Sequence, residues 1–117
     1  MKTTESDALV KKFASASQEH YHAILVGDYA VANAHAATIS RVIEEIRTNE
    51  NATIGALLPL LDDSRPEVSL MAAVYLLKHD TEKSLETLAL LKVRDDLIGF
   101  RADQAMKRWN DGEWQLG

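Results

Sequence analysis

Apolar residues recur every three or four positions through six stretches of this chain, with polar breaks between them. That spacing fits a helix of about 3.6 residues per turn rather than a strand, whose side chains alternate with a period of two. Leu9, Phe13, Ala16, His20 and Ile24 predict a first helix from about Ser6 to Val26. Ala32, Ala36, Ile39, Val42, Ile43 and Ile46 predict a second from Tyr29 to about Thr48. Ile54, Leu57, Leu58 and Leu61 mark a short third helix from about Ala52 to Leu61. A fourth carries Val68, Met71, Ala72, Tyr75 and Leu76, and a fifth carries Leu85, Leu88, Ala89 and Leu91. The sixth places Phe100, Ala105, Met106 and Trp109 inward. Glycine and proline number only 5 and 2. No alternating run between turn signals marks a strand, so the fold class is all-α.

The breaks carry helix-start chemistry. Asp28 follows Gly27 and can accept one of the backbone N–H groups left free in the first turn of the next helix. Asp80 or Thr81 can do the same for the fifth helix, and Asp95 or Asp96 for the sixth. In "DDSRPE", Ser64 with Glu67 three residues later fits a capping box, and Pro66 fits the first helical turn, where no donor is needed. The segment "TIGALLPLL" (53–61) aligns with "SLETLALLK" (84–92), Leu57 on Leu88 and Leu60 on Leu91. Each leads through a polar break into another apolar helix. A helical hairpin used twice, with residues 6–48 as a longer third pair, predicts stacked hairpins, each burying its neighbour's apolar face.

The 117 residues suit one domain over 1–117, with 113–117 as a C-terminal tail. Cysteine is absent, which excludes disulfides and thiolate chemistry. "MKTTESDALVKKFA" is too polar for a secretory leader, and no window approaches the roughly 18–20 apolar residues of a membrane span. No membrane association and a cytoplasmic location are the expectations. The formal charge of -5 argues against general nucleic-acid binding. A basic patch still requires only that Lys11 and Lys12, or Arg101, Lys107 and Arg108, cluster in space.

"LLPLLDDSRPEVSLMAAVYLL" (57–77) resembles a HEAT-type repeat. It has a proline in the first helix (Pro59), an acidic turn residue (Asp62 or Asp63), a valine opening the second helix (Val68), and the small pair Ala72 and Ala73 before leucines. Ser69 stands where that pattern has a basic residue, which puts an inter-repeat ladder to the turn acids in doubt. The whole chain also resembles a family of short, uncharacterised bacterial proteins. The shared features are a long first helix, a "GD" turn, Asn33 near the start of the second helix, and the ending "GF.AD.A...W..GEW" from Gly99 to Trp114. The resemblance implies a HEAT/armadillo-like right-handed stack of about three helical hairpins, an α-α superhelix. It implies no activity; by analogy, such proteins act as adaptors or immunity proteins.

No residue set assembles a catalytic centre. The histidines are His20, His22, His35 and His79; "EHYH" brings Glu19 and His22 onto one helix surface, but no HExxH pair is present. His20 falls on the apolar stripe and reads as a half-buried, hydrogen-bonded side chain. Asp62-Asp63 and Asp95-Asp96 precede helices and read as caps, while Glu44 and Glu45 are helix neighbours that do not face each other. No serine sits in a G-x-S-x-G context, and no glycine-rich loop cradles a phosphate. Gly99-Phe100-Arg101 could offer N–H groups to an anion, though a glycine for close packing is the simpler reading. No metal or cofactor is expected.

The aromatics carry the functional signal. Tyr21, His22 and Tyr29 flank the first turn, and Trp114 lies after Gly112. Trp114 either folds back onto the last helix or stands exposed as an anchor. These four are the candidate interaction residues. The expected function is non-enzymatic protein–protein interaction, with an unknown protein or a second copy of the chain as partner. A small hydrolase-like or metal-dependent enzyme and a nucleic-acid-binding helical repeat are the rival readings.

Overall fold

A computed structural model describes residues 5–49 and 53–114. The order is α1 (Glu5–Leu25), α2 (Tyr29–Thr48), a 3-10 helix (Ile54–Asp62), α3 (Pro66–Leu76), α4 (Thr81–Leu91) and α5 (Leu97–Asn110), with no strand among the described residues. The expected start of the third helix at about residue 52, and the tail beyond 114, lie outside the described residues. Contacts divide the chain into two compact units, residues 1–57 and 58–117.

In the first unit, α1 and α2 pack along each other as a hairpin. The turn is a C-terminal glycine motif. Gly27 adopts φ 76, its N–H bonds to the Ile24 carbonyl at 3.1 Å, and the Asp28 N–H reaches the Ala23 carbonyl at 2.9 Å. Those bonds satisfy the last carbonyls of α1 and reverse the chain. Asp28 then caps α2 by accepting from the Val31 N–H at 3.2 Å. Phe13, Ala16, Ile39, Val42, Ile43 and Ile46 are buried, as the helical stripes require. His20 Nδ1 donates to the Ala32 carbonyl at 2.9 Å and ties the two helices together. Ser17 Oγ, also buried, donates back to the Phe13 carbonyl at 2.8 Å.

The short third helix is 3-10 rather than α, with Pro59 inside it. Proline offers no N–H to the ladder, and in an α-helix its ring presses on the carbonyl four residues back. The tighter winding changes the buried face. Residues three apart eclipse in a 3-10 helix, so Leu57 and Leu60 are buried, whereas Leu58 and Leu61 are half-exposed. The α-periodic face of Leu57, Leu58 and Leu61 is thus corrected to one with a period of three.

In the second unit α3 contacts both α4 and α5, and α4 contacts α5. Val68, Leu70, Ala72, Ala73 and Leu76 of α3 are buried, a distribution that covers most of its circumference. The expected capping box is absent. Arg65 is the residue before α3, no side chain caps it, and Pro66 opens the helix. Asp63 clips the turn instead, accepting from the Arg65 N–H at 2.9 Å and from the Arg65 guanidinium at 2.9 and 3.0 Å. Ser69 is buried and donates to the Pro66 carbonyl at 3.3 Å. A basic side chain would be desolvated there.

Asp80 caps α4 by accepting from the Lys83 N–H at 3.3 Å, and Asp96 caps α5 by accepting from the Gly99 N–H at 3.1 Å. The inward face of α5 is Ile98, Ala102 and Ala105. Phe100 is 61% exposed, and Met106 and Trp109 are half-buried, so the expected inward placement of Phe100 is corrected. Gly99 is buried against the preceding turn, where a Cβ would overlap the Arg94 carbonyl oxygen. With its N–H taken by Asp96 and its Cα against backbone, Gly99 is a packing glycine and not an anion site.

Gly99→Ala forces that overlap. It is expected to lower stability by about 1–3 kcal/mol, the usual cost of overpacking. A denaturant melt unchanged from wild type would show that residues 92–96 move aside freely. Ser84 presents the opposite case: it is fully buried, and its hydroxyl has no hydrogen-bond partner among the described residues. Ser84→Ala removes an unpaired polar group, so stability is expected to stay level or rise by up to about 1–2 kcal/mol. A clear loss in the same melt would reveal a partner for that hydroxyl.

Candidate interaction site

Tyr21 and His22 lie together near the end of α1, and Tyr29 opens α2 across the turn. The Tyr21 and His22 rings lie 6.4 Å apart at a 49° tilt. Tyr21 is half-buried, while His22 and Tyr29 are exposed. Leu25, Val26 and Val31 are exposed beside them, Val26 at 79%. Gly27 explains this grouping. Reversing the chain within two residues turns the last side chains of α1 and the first of α2 away from the hairpin's buried seam. The turn therefore carries a small apolar surface edged by an imidazole.

Trp114 belongs to the second unit and is reached by the same device. Gly112 adopts φ 74, its N–H bonds to the Trp109 carbonyl at 3.2 Å, and the Glu113 N–H bonds to the Arg108 carbonyl at 3.0 Å. The reversal lays Trp114 edge-on against Trp109, with ring centroids 6.2 Å apart and planes at 76°. Trp114 is half-buried, and its Nε1 is shielded from solvent without a hydrogen-bond partner among the described residues. Of the two placements the sequence allowed, the structure shows the folded-back one.

Trp114 also closes one side of a groove of about 1090 Å³ between α3 and α5. Leu70, Met71 and Val74 supply the α3 wall. Phe100 and Ala105 supply apolar surface from α5. The polar residues are Arg101, Gln104 and Arg108 along α5, with Glu113 past the end of the helix. Positions 101, 104 and 108 share one helix face by their spacing of three and four. Among the described residues neither Arg101 nor Arg108 makes an ion pair. Lys107, the third member of the expected basic cluster, turns instead to Asp103 at 3.0 Å. Phe100, Arg101 and Arg108 are the site residues that the aromatic reading did not select. Phe100 is left exposed because Ile98, Ala102 and Ala105 take the inward face of α5.

The other chemistry-bearing residues have structural partners or stand apart. Arg94 binds Asp96 at 2.7 Å, and Arg65 binds Asp63 at 2.9 Å. No group of three or more His, Asp or Glu side chains among the described residues is arranged to hold a metal. No helix among the described residues is long and apolar enough to cross a membrane.

No protein-family model matches the chain, and no curated protein sequence matches it. A solved structure does. The crystal structure of protein RPA1889 from Rhodopseudomonas palustris CGA009 superposes with a TM-score of 0.88, covering 98% of this chain and 96% of that one at 21% sequence identity. At that identity the likeness concerns the fold. It supports an all-helical fold shared with a bacterial protein of similar length.

The two Asp–Arg clips generate a pH dependence. Hydrogen bonds from the Arg65 guanidinium hold the Asp63 carboxyl below the usual carboxylate range against a modest desolvation, and the Arg65 N–H adds to them. Arg65 is raised in turn. Arg94, together with the Gly99 N–H, lowers Asp96 in the same way. A carboxylate in the unfolded chain takes up its proton near pH 3.9, before these folded ones do. Their contribution is therefore complete above that value, declines as pH falls toward the depressed folded values, and is gone once both states are protonated. Asp63→Asn keeps an acceptor for the turn but removes the charge. Its stability is expected to fall less steeply than wild type between about pH 5 and pH 3. Parallel acid limbs in urea melts would show that the Asp63–Arg65 pair does not contribute.

Proposed function

We propose that this protein is a non-enzymatic protein-interaction module whose helical hairpins are of HEAT type, and that it works in the cytoplasm as an adaptor or immunity-like binding partner. The observation that carries this reading is the α3–α5 groove, with Phe100 at 61% exposure on its α5 side. A large aromatic left in water beside other apolar side chains suits a surface that a partner covers. The groove's polar residues suit the rim of an interface, and the apolar turn around Tyr29 offers a second, smaller contact of the same kind.

Phe100→Ser and Tyr29→Ser alter these surfaces without touching a buried residue. Immobilised wild-type protein is expected to retain a protein from native cell extract that Phe100→Ser retains at least about tenfold less, a typical hot-spot loss. The melting temperatures of the three proteins should agree. An empty wild-type column overturns the module reading. Retention unaltered by both substitutions overturns its assignment to these surfaces.

A further inference from the structure

The geometry points to an acidic amphipathic helix of a partner protein as the occupant of the α3–α5 groove, an inference that rests on the protein-binding reading. Size is the first argument. An α-helix is about 10 Å across and rises 1.5 Å per residue, so about 1000 Å³ accommodates two to three turns of one. The groove volume is of that order.

Lining chemistry is the second argument. Met71 and Val74 of α3 and Phe100 of α5, over a buried floor of Leu70 and Ala105, give the groove its apolar surface. Such a surface takes the apolar stripe of an amphipathic helix, with methionine supplying an adaptable contact.

Charge is the third. The chain carries -5 overall, yet the groove presents two guanidiniums against one carboxylate. Arg101 and Arg108 lie seven residues apart on α5, two turns or about 10.5 Å along the axis. A ligand helix lying along α5 meets both when its own carboxylates are spaced by two turns. Glu113 stands at the Arg108 end, its N–H bonded to the Arg108 carbonyl. It disfavours further acid beyond that point and gives the site a direction.

The test selects from a phage library of random 16-residue peptides on the full-length protein, then measures synthetic representatives by fluorescence anisotropy. Enriched peptides are expected to combine apolar residues at helical spacing with an excess of Asp and Glu, and to gain helical circular dichroism on binding. The double variant Arg101→Glu/Arg108→Glu is expected to weaken them at least about tenfold at low salt, with the difference shrinking as salt rises. Peptides with lysine at the acidic positions should prefer the reversed protein. Enriched peptides without acidic excess, or indifferent to the charge reversal, overturn this occupant. If they compete instead at the Tyr29 turn, the protein-binding reading survives the loss. A duplex oligonucleotide that binds tightly and is lost in the same double variant also overturns it, in favour of a nucleic-acid partner.

Discussion

A helix start leaves backbone N–H groups without partners, and in this protein an aspartate takes one of them at the beginning of α2, α4 and α5. Where these aspartates stand fixes where each helix begins, and the apolar face that follows decides how the helix is turned. α5 shows the consequence. With Asp96 on the Gly99 N–H, Ile98, Ala102 and Ala105 turn inward and Phe100 turns out. Burying Phe100 would turn Ile98, Ala102 and Ala105 off the core and carry Gly99 away from the Arg94 carbonyl, against which only a residue without a Cβ fits. The exposed aromatic is thus fixed by the inward face of α5 and by the close approach of a glycine at its start.

Helices α1 and α2 were the most legible part of the fold. Their stripes are long, their turn holds a glycine followed by an aspartate, and local rules agree with tertiary packing at every step. Legibility failed where two local rules competed. At Pro59 the α-helical period lost to a 3-10 winding, which kept Leu57 buried and moved the rest of the buried face from Leu58 and Leu61 to Leu60. At Ser64 the capping-box pattern lost to Asp63, which reaches both the backbone and the guanidinium of Arg65 and so satisfies more donors than a serine hydroxyl can. Both corrections lie within the repeat-like stretch, where apolar residues are so dense that a helical stripe does not single out one face.

The aromatics at the first turn and the pair Arg101 and Arg108 stood out in the sequence, whereas the groove that Phe100 lines did not. Tyr21 and His22 are neighbours on α1, so their contact follows from the helix alone, and Tyr29 opens α2 across the turn. The α3–α5 groove joins residues about 30 positions apart and depends on the packing of two helices whose contact no short motif encodes. Trp114 lies between these cases: Gly112 signals a reversal, but only the pairing with Trp109 shows where the reversed chain comes to rest.

Net charge is a poor guide to what a partner of this protein meets. Asp28, Asp80 and Asp96 are committed to helix starts, and Asp63 to the turn before α3. Arg65 and Arg94 are committed to two of those aspartates, and Lys107 to Asp103. Five of the 18 acidic residues are therefore architectural, held against backbone N–H groups or neighbouring cations. A partner responds to the charge left over once the helix ends and turns have drawn on theirs. At the groove that remainder is Arg101 and Arg108 against Glu113, beside an exposed Phe100, a local sign opposite to that of the whole chain. Because exposed charges are screened beyond about a Debye length of roughly 10 Å, this local sign outweighs the global one for anything seated in the groove.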